Sequence, residues 1–143
     1  MMKSIVPAAV LLAALPACPG VASAELTSSE VAKKLDVMSF PNSIHQMSRP
    51  GARTFAQHGF TQVVPTEGKA GSVDVYQPDH EWLFQISVLG RKGDDVTVCV
   101  LEQALNGGTY LGQTPLALQR GRDGLLHATG QAVSDPHRDD YAR

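Results

Sequence analysis

The sequence predicts an α+β fold in which one N-terminal helix packs on an antiparallel meander of five or six strands. Two observations support this prediction. A complete helix start lies near residue 27, and from residue 60 onward apolar and polar residues alternate in short segments separated by turn-forming residues. Because the connections between these segments are short, they favour antiparallel pairing over parallel pairing, which needs long crossovers.

The helix is expected to begin in a capping box. Thr27 and Glu30 have the spacing at which each side chain caps the backbone N–H of the other residue. Val31 and Leu35 then lie one helical turn apart and start an apolar face. The pattern therefore predicts a helix from about Ser28 to Val37.

Residues 39–59 show no periodicity and contain two clusters of turn-forming residues. We expect a connecting stretch there, with one short helical turn from Thr54 to Gln57. The segment at 82–88 has the clearest alternation and places Trp82 in the core, and a polar hairpin loop is expected at Gly90–Asp95. The predicted strands cover residues 60–64, 72–77, 82–88, 96–101, 110–120 and 125–129.

The first 24 residues have the order of a cleavable secretory signal. Lys3 precedes an apolar run of about 13 residues, and Ala22-Ser23-Ala24 fits the site of signal peptidase. A transmembrane helix needs about 20 apolar residues, so we expect no membrane-spanning segment after cleavage. The predicted organisation is a signal peptide at 1–24, one globular domain at 25–133 and a disordered polar tail at 134–143, in a periplasmic or secreted protein.

A lipid anchor is the alternative to free export. Leu15-Pro16-Ala17-Cys18 resembles a bacterial lipoprotein cleavage site, at which Cys18 would carry the lipid, although Pro16 departs from the usual small residue. Cleavage after Ala24 instead removes Cys18 and leaves Cys99 as the sole cysteine, so no intrachain disulfide is expected. Cys99 lies in an apolar strand segment, which favours a buried structural thiol over a nucleophile.

Charge and motifs exclude several classes of function. Loss of Lys3 with the signal changes the formal net charge from −2 to −3, which argues against a nucleic-acid-binding protein. The sequence also lacks the phosphate-binding loop, the paired-histidine zinc motif and the serine-hydrolase motif. We therefore assign no catalytic residue, metal ligand or cofactor, and expect a protein that is not an enzyme.

The candidate binding residues are basic side chains close to predicted turns: Arg91, Lys92, Arg120 and Arg122. Arginine is favoured at protein interfaces and in the recognition of carboxylates. The sequence thus indicates a small exported binding or envelope accessory protein, such as an inhibitor, whose partner is a periplasmic or envelope protein.

The alternative is a small periplasmic metal-binding protein or hydrolase that uses converging histidines. His45, His58, His80 and His127 are the candidates, with Met47 beside the first of them. This hypothesis requires at least one of these rings to lie within about 5 Å of another histidine or a carboxylate.

Overall fold

The computed structural model of the chain describes residues 25–131 and residue 133, which form one α-helix and a six-stranded antiparallel sheet. The α+β class is confirmed, and most of the regular structure is sheet. The predicted signal and tail lie outside the described residues. The helix α1 spans Ser28–Lys34, and the strands are β1 Gln62–Pro65, β2 Ser72–Tyr76, β3 Trp82–Lys92, β4 Asp95–Ala104, β5 Leu111–Arg120 and β6 Leu126–Ala128.

The start of α1 is as predicted. The Glu30 backbone N–H donates to Thr27 Oγ1 at 3.2 Å, and the Thr27 N–H donates to Glu30 Oε2 at 2.9 Å, which completes the capping box. Ser28 also contacts the sheet, since its hydroxyl donates to the Gly71 carbonyl and accepts from the Val88 N–H at 3.1 Å.

The end of α1 differs from the prediction. The helix stops at Lys34 rather than Val37, because Leu35 turns to extended backbone and forms a parallel bridge with Leu126. The Asp36 N–H then donates to the Leu126 carbonyl at 2.8 Å. The helix therefore ends because Leu35 pairs with a strand that is distant in the sequence. The same pairing covers part of the open edge of β6.

The connecting stretch contains two short 3₁₀ helices. The turn predicted at Thr54–Gln57 is found slightly later, at Ala56–His58. The other, Ser43–Met47, falls where no helix was predicted, and Asn42 Oδ1 caps it by accepting from the Ile44 N–H at 2.9 Å. None of the helices in the described part of the chain has the length and apolar character needed to cross a membrane.

The predicted loop at Gly90–Asp95 is too long. β3 and β4 stay paired as far as Lys92 and Asp95, so that only Gly93 and Asp94 form the turn. A two-residue hairpin turn of this kind needs a positive φ, and Gly93 supplies it at 62°. Polar side chains at an exposed hairpin end do not interrupt the ladder, which is why the alternation ends before the strands do.

The core lies on one face of the sheet. Residues that are Cα partners in neighbouring strands share a face, and Val75, Phe84 and their partners point to the same side. The fully buried Phe84 ring lies 4.9 Å from Phe55 and 5.2 Å from Phe60, measured between ring centroids. The rest of this cluster includes Val31 and buried residues of every strand from β2 to β6.

Candidate functional site

A surface depression of about 740 Å³ lies at the end of the sheet that carries the β3–β4 turn. Two guanidinium groups border it, those of Arg91 near the end of β3 and Arg120 at the end of β5. Its other lining residues combine polar side chains with apolar ones: Gly93, Asp94 and Gln119, and Leu26, Val96 and Leu126. We call it the arginine depression.

Strand register explains why the two arginines meet there. Arg91 is the Cα partner of Val96, and Arg120 is the Cα partner of Leu126. Val96 and Leu126 are buried in the core, and directly opposed residues lie on the same face of a sheet. Both arginines therefore extend from the core face at the point where the core ends, beside apolar side chains.

The charge in the arginine depression is mostly uncompensated. Within residues 25–131 and 133, neither Arg91 nor Arg120 forms an ion pair, and Arg120 Nη1 makes one long hydrogen bond of 3.4 Å to the Gly124 carbonyl. Asp94 is the acidic residue that lines the same space. A planar guanidinium group matches the geometry of a carboxylate and can bind it with two parallel hydrogen bonds.

The other two candidate binding residues lie elsewhere. Lys92 follows Arg91 in β3 and so points to the opposite face, where it is paired with Asp95 in the ladder. Arg122 is exposed in the turn between β5 and β6. The structure thus brings two of the four predicted residues to one depression and places Lys92 and Arg122 outside its lining.

His127 lies in a cluster of charged residues at the edge of the sheet. Its Nδ1 is 3.0 Å from Asp36 Oδ2, and its Nε2 is 2.9 Å from Asp123 Oδ1. Arg53 also donates to the Asp36 carboxylate, through Nε at 3.0 Å and through Nη2. His127 therefore meets the distance requirement of the alternative hypothesis, and the same contacts link β6 to the residues after α1.

The pKa of Asp36 reflects these contacts. Burial raises the pKa, but the hydrogen bonds from Arg53 and from the Met38 N–H outweigh burial and hold it below the ordinary value for aspartate. The pKa of Asp123 is also lowered, chiefly by the hydrogen bond with His127. The cluster therefore contains two carboxylates that are stabilised in their ionised form.

The remaining candidate histidines do not converge. His45 is exposed, while His58 is buried with Nδ1 2.9 Å from the Thr54 carbonyl. His80 Nε2 lies 2.7 Å from Gln62 Oε1. Among the residues that the structure describes, no three histidine, cysteine or acidic side chains are grouped so that they could hold a metal ion.

Three buried acids in the described part of the chain, Asp36, Asp74 and Glu102, were not singled out from the sequence. Asp36 lies two residues after the end of α1 and was missed because its charged partner Arg53 and the nearby His127 come from other parts of the chain. Glu102 could have been found, since it continues the core-facing alternation of Val98 and Val100 in β4. Cys99, on the opposite face of the same strand, is buried as predicted.

The arginine depression therefore brings two arginine side chains together with both polar and apolar lining residues. This chemistry suits a carboxylate that is presented by a partly apolar surface. Comparisons of the chain with protein-family models, with curated proteins and with solved structures find no match.

Proposed function

We propose that the protein is an exported, noncatalytic binding module of the periplasm or envelope, which binds carboxylates of a protein partner in the arginine depression. The observation that supports this proposal is that Arg91 and Arg120, from different strands, border the same depression. Its volume of about 740 Å³ can accept several side chains of a partner. An inhibitor that covers an acidic surface of its target is one protein of this kind.

The proposal includes export by cleavage after Ala24 and packing of α1 on the sheet. Leu26, two residues beyond the proposed cleavage site, lines the depression, and the contacts of Ser28 with β3 hold this end of the helix near it. Mass spectrometry of the mature N-terminus tests the cleavage. A chain that begins at Glu25 supports it, whereas a lipid on Cys18 contradicts it.

Binding is tested with a capped tetraglutamate peptide as the probe, by isothermal titration calorimetry at low salt. We expect saturable binding that weakens as salt is added, because exposed charges are screened. A variant with Arg91→Gln and Arg120→Gln is expected to bind about tenfold more weakly, since each exposed ion pair contributes up to about 1 kcal/mol.

The matched control carries Lys33→Gln and Arg49→Gln, which remove the same charge from two exposed residues outside the depression. We expect the control to bind like the unmodified protein at equal ionic strength. Equal weakening in both variants would show that net charge alone determines binding. That result, or the absence of saturable binding by the unmodified protein, contradicts the proposal.

A further inference from the structure

A pair of stacked aromatic rings lies at the other end of the sheet. The ring centroids of Trp82 and Tyr110 are 5.5 Å apart, with an angle of 29° between the ring planes. Trp82 begins β3, whereas Arg91 lies near its end, so the pair is roughly 30 Å from the arginine depression at about 3.3 Å per residue. The side chain of Tyr110 stays 48% exposed.

Gly112 allows Tyr110 to adopt this position. The phenol folds back over the start of β5, and a Cβ atom at residue 112 would lie 2.9 Å from the Tyr110 hydroxyl oxygen and 3.3 Å from the ring carbon that bears it. Because real Cβ atoms do not approach other atoms so closely, a side chain at this position would displace the ring. Gly112 therefore permits this position of the Tyr110 ring, and a larger residue there would move it.

A buried carboxylate fixes the edges of both rings. Glu102 is 6% exposed, and its Oε1 accepts from the Ser43 N–H at 2.9 Å and from Trp82 Nε1 at 3.3 Å. Its Oε2 accepts from the Tyr110 hydroxyl at 3.4 Å. Desolvation first, and then the charge of Glu102, raise the pKa of Tyr110. The rings are thus held in place against a source of negative charge.

These rings form one side of a hollow of about 340 Å³. Its wall also contains Met47, which is 51% exposed, and the exposed acid Glu81. We call this space, between Trp82, Tyr110, Met47 and Glu81, the aromatic hollow. Its other lining residues are uncharged, and in the described part of the chain Glu81 forms no ion pair. The hollow therefore combines aromatic faces with a net negative charge.

We propose that the aromatic hollow is a second binding site, which receives an arginine side chain of a protein partner. A guanidinium group stacks favourably on tryptophan and tyrosine faces, and Arg is the residue that most often does so. Glu81 is placed to pair with the same group, and Met47 provides a polarizable apolar surface for its methylene chain. This site is independent of the arginine depression, because the two have opposite charge and lie at opposite ends of β3.

The sole tryptophan of the chain, Trp82, provides the measurement. Titration with a capped triarginine peptide is expected to produce a saturable change in its fluorescence, and capped triglutamate is expected to produce none. Tyr110→Ala and Glu81→Gln are each expected to weaken binding of triarginine about two- to fivefold, on the scale of single cation–π contacts and exposed ion pairs. Gly112→Ala should have a similar effect, because it displaces Tyr110.

Leu111→Ala is the matched control, since this neighbour of Tyr110 is 60% exposed and does not line the hollow. The control should bind triarginine like the unmodified protein. If Tyr110→Ala does not fold, Glu81→Gln still tests the site, because it changes only an exposed side chain.

Three results would overturn the inference. They are no saturable response to triarginine, an equal response to a neutral hexose, and an equal loss in Leu111→Ala. The variant with Arg91→Gln and Arg120→Gln should keep the response to triarginine. Failure of the arginine depression to bind tetraglutamate is therefore distinguishable from failure of the aromatic hollow.

Discussion

Replacement of Asp36 by asparagine is expected to lower the free energy of unfolding by about 2 kcal/mol at pH 7. The Asp36 side chain is 1% exposed, accepts hydrogen bonds from Arg53 and from the Met38 N–H, and lies 3.0 Å from His127 Nδ1. A hydrogen bond to a charged group contributes about 1.5–3 kcal/mol, and breaking a buried ion pair costs about 3–5 kcal/mol. We expect a loss of about 2 kcal/mol, within the range for a hydrogen bond to a charged group and below that for a fully buried ion pair. The reason is that the Arg53 side chain is 48% exposed and regains water when its partner is removed.

The effect should depend on pH. The contacts with Arg53 and Met38 lower the pKa of Asp36 despite its burial, below the ordinary value of about 3.9. A carboxyl group whose pKa is lowered by folding stabilises the folded state above that ordinary value, and this contribution is lost as the pH falls through the folded-state pKa. The stability difference between the unmodified protein and Asp36→Asn should therefore shrink as the pH falls below about 4.

Urea unfolding followed by Trp82 fluorescence measures both quantities. Asp123→Asn is the control, because this carboxylate also contacts His127 but its side chain is 45% exposed, so we expect a loss of less than about 1 kcal/mol. A loss of less than about 0.5 kcal/mol in Asp36→Asn would refute the reasoning, since that is the scale of an ordinary surface substitution. A difference that stays the same at pH 3 and pH 7 would also refute it.

Two further substitutions test the core and the helix start. Phe84→Ala is expected to destabilise the fold by about 3–5 kcal/mol, because it removes a fully buried ring that contacts Phe55 and Phe60; a loss below about 2 kcal/mol in urea unfolding would contradict this packing. Thr27→Ala should cost about 1 kcal/mol by breaking the capping box, whereas Thr27→Ser should cost less, and equal losses in the two variants would argue against the cap.

Local patterns predicted the start of α1 but not its end. The capping box lies within four adjacent residues, so Thr27 and Glu30 reveal it without knowledge of the fold. The end depends on Leu35, which pairs with Leu126 near the other end of the described chain. Nothing near Leu35 in the sequence indicates that partner, and the helical pattern continues past the true end.

The sequence pattern also fails to predict the ends of the strands at the β3–β4 hairpin. Alternation reports which side chains are buried, and it therefore identified the parts of both strands that cross the core. Beyond Val88 and before Val96 the side chains are exposed or half-exposed, so pairing continues without the pattern. This is why Gly90–Asp95 was predicted as a loop although the turn needs only two of its residues.

The sequence predicts basic binding residues, but it does not predict that Arg91 and Arg120 border one depression. Arg91 and Arg120 were selected because they are basic and near turns, which also selected Lys92 and Arg122. Only the register of β3, β4 and β5 shows that the first two share the core face. The Asp36 contacts were not predicted, because His127 and Arg53 come from separate segments.

Binding of carboxylates in the arginine depression is tested most directly by nuclear magnetic resonance of the ¹⁵N-labelled protein during titration with capped tetraglutamate. We predict that the largest amide shift changes occur at Gly93, Asp94 and Arg120, and that they saturate together. Changes scattered over the surface, or largest near the opposite end of β3 at Trp82, would contradict the proposed binding site.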